Sequence, residues 1–399
     1  MKNDEQKDKV QQEALKAWLH AKKKGSAEII TGLGKTFISL HALYTMPRND
    51  DIHLFAAEQT DRKKDLLDDI AKYNKIFNRN VLKDYNLQFA CYQTIYRWKN
   101  RKFGLVIADE IHDSLSPAYS QFYFNNRYRA IIGLSATLKN NITYNLENDE
   151  IITKKELLNK VAPVCYTYTV DDGQADGTSR ELDVYIIKHK LDNVVNSIKA
   201  GNAKKRFFQT EYAAYTYWDK EHKRSWFIND EELKQLKIRI TSHKRSTILY
   251  NLESKINVVK KILSKLTTKT IIFGNSIDSL TKITPNVVSS KNSNEVNERI
   301  RDAFEKDKIK IIGSFKKLKQ GANLSGLDNC IIMSYYSTDK DLIQRIGRLR
   351  NNGEVGNVFI LVTIGTQEEV WLNKMFESIN NLNIIHCEDV DECLNYLKK

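Results

Sequence analysis

Apolar residues in this chain fall into two series of short runs, each run followed by a stretch with helical spacing. The first series is Ala27–Ile30, Ile52–Ala57, Leu87–Ala90, Gly104–Ala108 and Ala130–Leu134. The second is Thr270–Phe273, Asn286–Ser289, Lys310–Ser314, Asn329–Ser334 and Asn357–Val362. Short continuous apolar runs suit strands buried on both faces, and such strands alternating with helices predict parallel sheets built from βαβ units. The pattern predicts an α/β protein with one sheet domain over residues 1–150 and a second over 256–399. Residues 151–255 break it with longer polar and aromatic stretches and a turn-like Asp171–Gly177, which predicts a partly helical linker or inserted subdomain.

Length agrees, since 399 residues suit two or three domains. The composition, 41% hydrophobic and 28% charged, is that of a soluble globular protein, and no apolar run approaches the roughly 20 residues of a membrane span. The polar start Met1-Lys2-Asn3-Asp4-Glu5 lacks the apolar stretch of a secretory signal. Five scattered cysteines with no CxxC pair argue against a disulfide framework or a zinc site. The expectation is a cytoplasmic protein, in the host cytoplasm if the chain is viral, with no membrane contact. No motif demands an oligomer, and a monomer is compatible with all of them.

Net charge changes the picture. The chain carries +13, and Lys188–Lys265 alone holds 18 Lys or Arg against 8 Asp or Glu. A basic excess favours a polyanionic partner, because cations on phosphates release condensed counterions. Within this window Lys204-Lys205-Arg206 and Lys223-Arg224 are candidate nucleic-acid contacts. Aromatics lie among them: Phe207, Phe208, Tyr212, Tyr215, Tyr217, Trp218, Trp226 and Phe227. They suit stacking on single-stranded bases, but the larger share is expected to form the core of a small helical subdomain.

Candidate chemistry begins at the first strand. Ala27–Ile30 is followed by Thr31-Gly32-Leu33-Gly34-Lys35-Thr36 and then by a helical pattern. Strand, glycine-bearing loop, Lys-Thr and helix is the context of a phosphate-binding loop. Lys35 would reach the β and γ phosphates of ATP, and the Thr36 hydroxyl would hold Mg²⁺. The full pattern is not met, since Ile29 stands at its first glycine position. Farther on, Gly104–Ala108 ends in Asp109-Glu110-Ile111-His112. Two carboxylates at a strand's C-terminal end suit a Mg²⁺ contact (Asp109) beside a residue that orients and deprotonates water (Glu110).

Asp109-Glu110-Ile111-His112 resembles the DExH box of superfamily 2 helicases, and the other motifs of that family follow in order. Gln11 heads a string similar to the adenine-contacting glutamine motif. Tyr92-Gln93-Thr94-Ile95 is similar to motif Ib, and Ser135-Ala136-Thr137 looks like motif III, which couples ATP state to nucleic-acid binding. Thr270–Phe273, Gln320–Leu324 (with Gly321 and Asn323) and Gln344–Arg350 resemble motifs IV, V and VI. The resemblance covers about residues 10–365. It implies two RecA-like lobes with catalytic roles for Lys35, Asp109, Glu110, His112, Gln344, Arg345 and Arg348, the last as an arginine finger. Two departures stand out. Asn351 occupies the usual place of a second finger, leaving Arg350 and Arg345 as alternatives, and Ala56–Arg62 lacks the Pro-Thr of motif Ia.

The wording of the motifs is most similar to phage UvsW-type helicases and to the ATPase subunits of type I and III restriction enzymes. No nuclease or methylase signature is evident. The resemblance implies a stand-alone ATP- and Mg²⁺-dependent motor on single-stranded or branched DNA. An RNA helicase of the same superfamily and a non-hydrolysing nucleic-acid scaffold are the alternatives.

Overall fold

The computed structural model describes residues 2–58, 60, 62–136, 138, 142–145, 151–201, 206–315, 326–335, 345–346, 349, 354–376 and 382–397. The chain divides into two compact units, Met1–Ser179 as the first and Arg180–Lys319 with Asn323–Lys399 as the second.

The first unit is a fully parallel sheet. Its strands are β1 (Lys24–Ile29), β2 (Ile52–Ala57), β3 (Asn86–Cys91), β4 (Lys102–Asp109) and β5 (Arg127–Ser135). After a short antiparallel pair, β6 (Thr143–Asn145) with β7 (Ile151–Thr153), comes β8 (Val164–Tyr168). The order across the sheet is β3-β2-β4-β5-β1-β8. Phe103–Asp109 of β4 are all buried, as a central strand covered on both faces must be. Helices α1 (Lys2–His20), α2 (Lys35–Tyr44) and α3 (Arg62–Phe77) supply Val10, Ala14, Trp18, Ile38 and Leu66 to one core; helix Pro117–Asn125 supplies Phe122 to the other.

The second unit holds β9 (Leu182–His189), a hairpin of β10 (Ile198–Gly201) and β11 (Arg206–Gln209), then β12 (Thr270–Phe273), β13 (Val287–Val288), β14 (Ile311–Ser314), β15 (Asn329–Ile332), β16 (Gly356–Thr363) and β17 (Asn383–Cys387). Its sheet, also parallel throughout, runs β13-β14-β12-β15-β16-β9-β17. Among the described residues no helix is long and apolar enough to cross a membrane.

All ten runs singled out in the sequence fall on strands. The separate middle segment at 151–255 requires correction. β8 extends the first sheet beside β1, and β9 sits inside the second between β16 and β17, so most of that stretch belongs to one unit or the other. Within that stretch β7 with β6, and β10 with β11, form separate two-stranded sheets, and the helices Glu211–Ser225 and Glu231–Tyr250 belong to the second unit. Parallel pairing explains the miss: β9 pairs with β16, far along the chain, so nothing local marks it as a sheet strand.

These two helices join the second unit through polar contacts. The fully buried Glu211 carboxylate accepts from Asp192 N (2.9 Å), Ser254 N (3.0 Å) and Ser254 Oγ (2.6 Å). Arg245 Nη1 donates to Asp219 Oδ1 across the helix pair at 2.6 Å. Their shared apolar core is small: Ala214, Tyr215, Ile248, Leu249 and Leu252.

At the C-terminal end of β9, His189 is buried, and Thr363 Oγ1 lies 2.9 Å from its Nε2. Burial, aided by the nearby Lys255 charge, pushes its pKa down to about 3 from 6.5. The unfolded chain therefore binds this proton between those pH values and the folded chain does not. Stability present above pH 6.5 drains away as pH falls toward 3, by about 1.4 kcal/mol per pH unit from this group. We expect urea unfolding of the second unit to weaken between pH 7 and pH 5 by roughly 2 kcal/mol more in the wild type than in His189→Asn. Identical pH slopes for the two proteins would refute the assignment.

Candidate nucleotide site

The loop between β1 and α2 is shaped by glycines. Gly32 (φ 95°) and Gly34 (φ 75°) lie in the left-handed region that a side chain disfavours. A Cβ on Gly34 would also stand 2.7 Å from Gln11 Nε2. Gln11 is buried on the inward face of α1, and its Nε2 donates to Leu33 O at 2.9 Å. The glutamine named from sequence thus braces the loop itself. α2 starts at Lys35, so its first turn presents backbone N–H groups beside Thr31–Thr36.

Neighbouring strands end beside this loop. Lys35 Nζ lies 3.3 Å from Glu110 Oε1 and donates to Ile29 O at 3.4 Å. Glu110 follows β4 with φ 50°, a left-handed conformation uncommon for a residue with a side chain and enriched at functional positions. Its other oxygen, Oε2, accepts from Ser135 Oγ at 3.2 Å, and His112 Nδ1 lies 2.7 Å from that hydroxyl. His112 Nε2 stands 3.1 Å from Asp113 Oδ1. Lys35, Glu110, Ser135 and His112 therefore form one contiguous polar cluster at the C-terminal edge of β1, β4 and β5, where parallel sheets place ligands.

Thr36 and Asp109 meet through a residue that the sequence reading left unassigned. Arg62, the first residue of α3, donates Nε to Asp109 Oδ2 (2.7 Å) and Nη2 to Thr36 Oγ1 (2.8 Å). Burial alone would lower its pKa, but the Asp109 carboxylate outweighs that and holds it above the ordinary arginine value. Thr36 and Asp109 are both nearly inaccessible. Their oxygens face one cationic group, so a hydroxyl and a carboxylate here suit a cation, as the Mg²⁺ expectation requires. Tyr92, quoted from sequence only for its likeness to motif Ib, is also buried, and its hydroxyl donates to Asp109 O at 2.8 Å, fixing the end of β4. Neither Arg62 nor Tyr92 carried a local signal, since both contacts join residues distant in the chain.

Thr137, Lys204, Lys205, Gly321, Asn323, Gln344, Arg348 and Arg350 lie outside the described residues. Arg345 is described. It is buried in the second unit, donates Nη1 to Ser334 O at 2.5 Å and lies over the Phe273 ring at 5.3 Å.

Arg206, Lys223 and Arg224 are exposed, but Lys223 pairs with Asp219 and Arg224 with Glu221, both at 2.7 Å. The expectation that most nearby aromatics form a core is overturned. Phe207, Phe208, Tyr212, Tyr217, Trp226 and Phe227 are exposed, Phe227 at 85%, while Tyr215 is buried. The helices are held by Glu211 and Arg245, which leaves these rings uncovered.

Comparisons with known proteins agree with this architecture. Residues 6–140 match the family model of the type III restriction enzyme res subunit, and residues 254–353 match the helicase conserved C-terminal domain. The DNA 3'-5' translocase XPB2 of Sulfurisphaera tokodaii is 25% identical over 390 residues, covering 91% of this chain and 84% of that protein. Among solved structures, S. cerevisiae Dbp5 bound to RNA and ADP BeF3 superposes with a TM-score of 0.60 at 13% identity, covering 98% of this chain and 92% of that one. The Pyrococcus furiosus Hef helicase domain gives 0.53 at 14% identity, covering 89% and 95%. At such identities the solved structures speak for the fold, two RecA-like α/β domains. Family domains of this kind imply ATP use and nucleic-acid-dependent ATPase activity. Together the two family matches and the translocase relative support a superfamily 2 helicase related to the Res subunits of restriction enzymes.

Proposed function

We propose that this protein is an ATP-driven motor on DNA, a translocase or helicase that couples ATP hydrolysis to movement along or remodelling of its substrate. The observation that carries the reading is the convergence of Lys35, Thr36, Asp109, Glu110 and Ser135 at one sheet edge. Lys35 and the first turn of α2 grip the β and γ phosphates. Thr36 and Asp109 hold the Mg²⁺, which offsets phosphate charge when bound. Glu110 accepts a proton from water as its oxygen bonds to the γ phosphorus and the bond to ADP breaks. Ser135 and His112 fix the second oxygen of Glu110. Gln344 and Arg348, the latter as the arginine finger, keep the roles that the family resemblance gives them, as do Thr137, Gly321 and Asn323 in coupling nucleotide state to the strand. Strand contact falls to Arg206, Lys223 and Arg224, with the exposed Phe207, Phe208, Trp226 and Phe227 stacking on bases.

DNA is favoured over RNA by the translocase similar over 91% of the chain and by the Res match. The test is ATP turnover against single-stranded, duplex and branched DNA and their RNA counterparts, with Lys35→Ala as control. DNA should stimulate turnover and matched RNA should not. Equal or stronger stimulation by RNA would reassign the substrate. Absence of turnover with every polymer would leave a binding scaffold.

A further inference from the structure

Arg62 makes its two strongest contacts with the pair of oxygens that the proposed function gives to Mg²⁺, Thr36 Oγ1 and Asp109 Oδ2. Its Nη1 lies 3.9 Å from Asp65 Oδ2 and 4.0 Å from Asp69 Oδ2, one and two turns along α3. The guanidinium also lies over the Phe55 ring at 5.9 Å. An ammonium would place one charge at this spot; the planar guanidinium reaches a hydroxyl, a strand-end carboxylate and a second acidic group at once.

Mg²⁺ binds oxygens at about 2.1 Å in a strict octahedron. A guanidinium at 2.7 and 2.8 Å from those same oxygens competes with the ion for them and adds like-charge repulsion. The two cations therefore oppose one another at this spot. We propose that Arg62 is an internal latch on the nucleotide site: it holds Thr36 and Asp109 as a tethered cation, and the metal that accompanies ATP must displace it onto Asp65 and Asp69. It acts as a positioning residue, not a catalytic one. The latch makes occupation of the site respond to Mg²⁺ more steeply than an open pair of oxygens would. The inference rests on the ATP-site reading above.

The test is the affinity of a fluorescent ADP analogue for the full chain, titrated with Mg²⁺. In Arg62→Gln the Mg²⁺ needed for half-maximal enhancement of binding should fall about tenfold, the value of one charge-assisted hydrogen bond lost to the competitor. In the Asp65→Asn, Asp69→Asn double variant it should rise about two- to threefold, because the displaced guanidinium loses its second resting place. Opposite signs separate a latch from a structural contact, whose loss would weaken binding in both variants. An unchanged or raised Mg²⁺ requirement in Arg62→Gln overturns the proposal; if that variant fails to fold, absence of a rise in the double variant does so. Should the wild type bind no nucleotide at all, with or without Mg²⁺, the ATP-site reading fails first. Normal wild-type binding with flat variants removes the latch alone.

Discussion

Glu110→Gln should lower nucleic-acid-stimulated ATP turnover by about 10²–10⁴-fold, the range contributed by a positioned general base, while leaving nucleotide bound. The side chain keeps its shape, so the substituted amide can still receive the Ser135 hydroxyl that lies 3.2 Å from Oε2 of Glu110. What would be lost is the charge proposed to take up the proton, and the ion pair with Lys35 at 3.3 Å. Freed from that carboxylate, Lys35 remains available to phosphate, so affinity for ATP should hold or rise. Lys35→Ala should behave differently, because it would remove the group proposed to grip the phosphates and so abolish binding along with turnover. Turnover and nucleotide affinity measured on both variants separate the two roles. Glu110→Gln with near wild-type turnover would sink the assignment of Glu110 as base.

A second large effect is expected in the second unit. Glu368→Ala should destabilise the second unit by about 3–5 kcal/mol, the range for breaking a buried ion pair from one side. Lys255 Nζ and Glu368 Oε1 are 2.7 Å apart with side-chain exposures of 1% and 0%. Glu368 Oε2 also accepts from Thr363 N (3.0 Å) and Thr363 Oγ1 (2.7 Å), and Lys255 Nζ donates to Leu249 O at 3.3 Å. Removing the carboxylate strands an ammonium and an amide inside the unit. A domain is commonly stable by only about 5–15 kcal/mol, so much of the second unit's margin would go. Replacing both partners, as Lys255→Met with Glu368→Leu, should recover most of the loss, since two apolar groups need no compensation. Urea denaturation followed by circular dichroism reads the effect, and two transitions are expected because the chain has two units. A shift below roughly 1 kcal/mol for Glu368→Ala, typical of an exposed pair, would show that water reaches this network.

What could be read from the sequence was whatever depends on neighbours in the chain. Buried parallel strands are apolar throughout, so β2, β4, β5, β12 and β16 announced themselves as runs. The candidate phosphate loop could be picked out because an apolar run, two glycines, Lys35 and a helical pattern all lie within about twenty residues. Asp109 and Glu110 were legible as carboxylates at a strand's end. Tertiary structure alone decided which distant residues those groups meet. It put Arg62 on Thr36 and Asp109, Tyr92 beneath Asp109, and Ser135 with His112 on Glu110. It also divided residues 151–255 between two sheets, turned Arg345 inward and left the aromatics around Trp226 uncovered. The physical reason is the same in each case. Burial, hydrogen bonding and charge pairing act through space, and a parallel sheet brings together strand ends separated by tens or hundreds of residues, where no local pattern of side chains records the meeting.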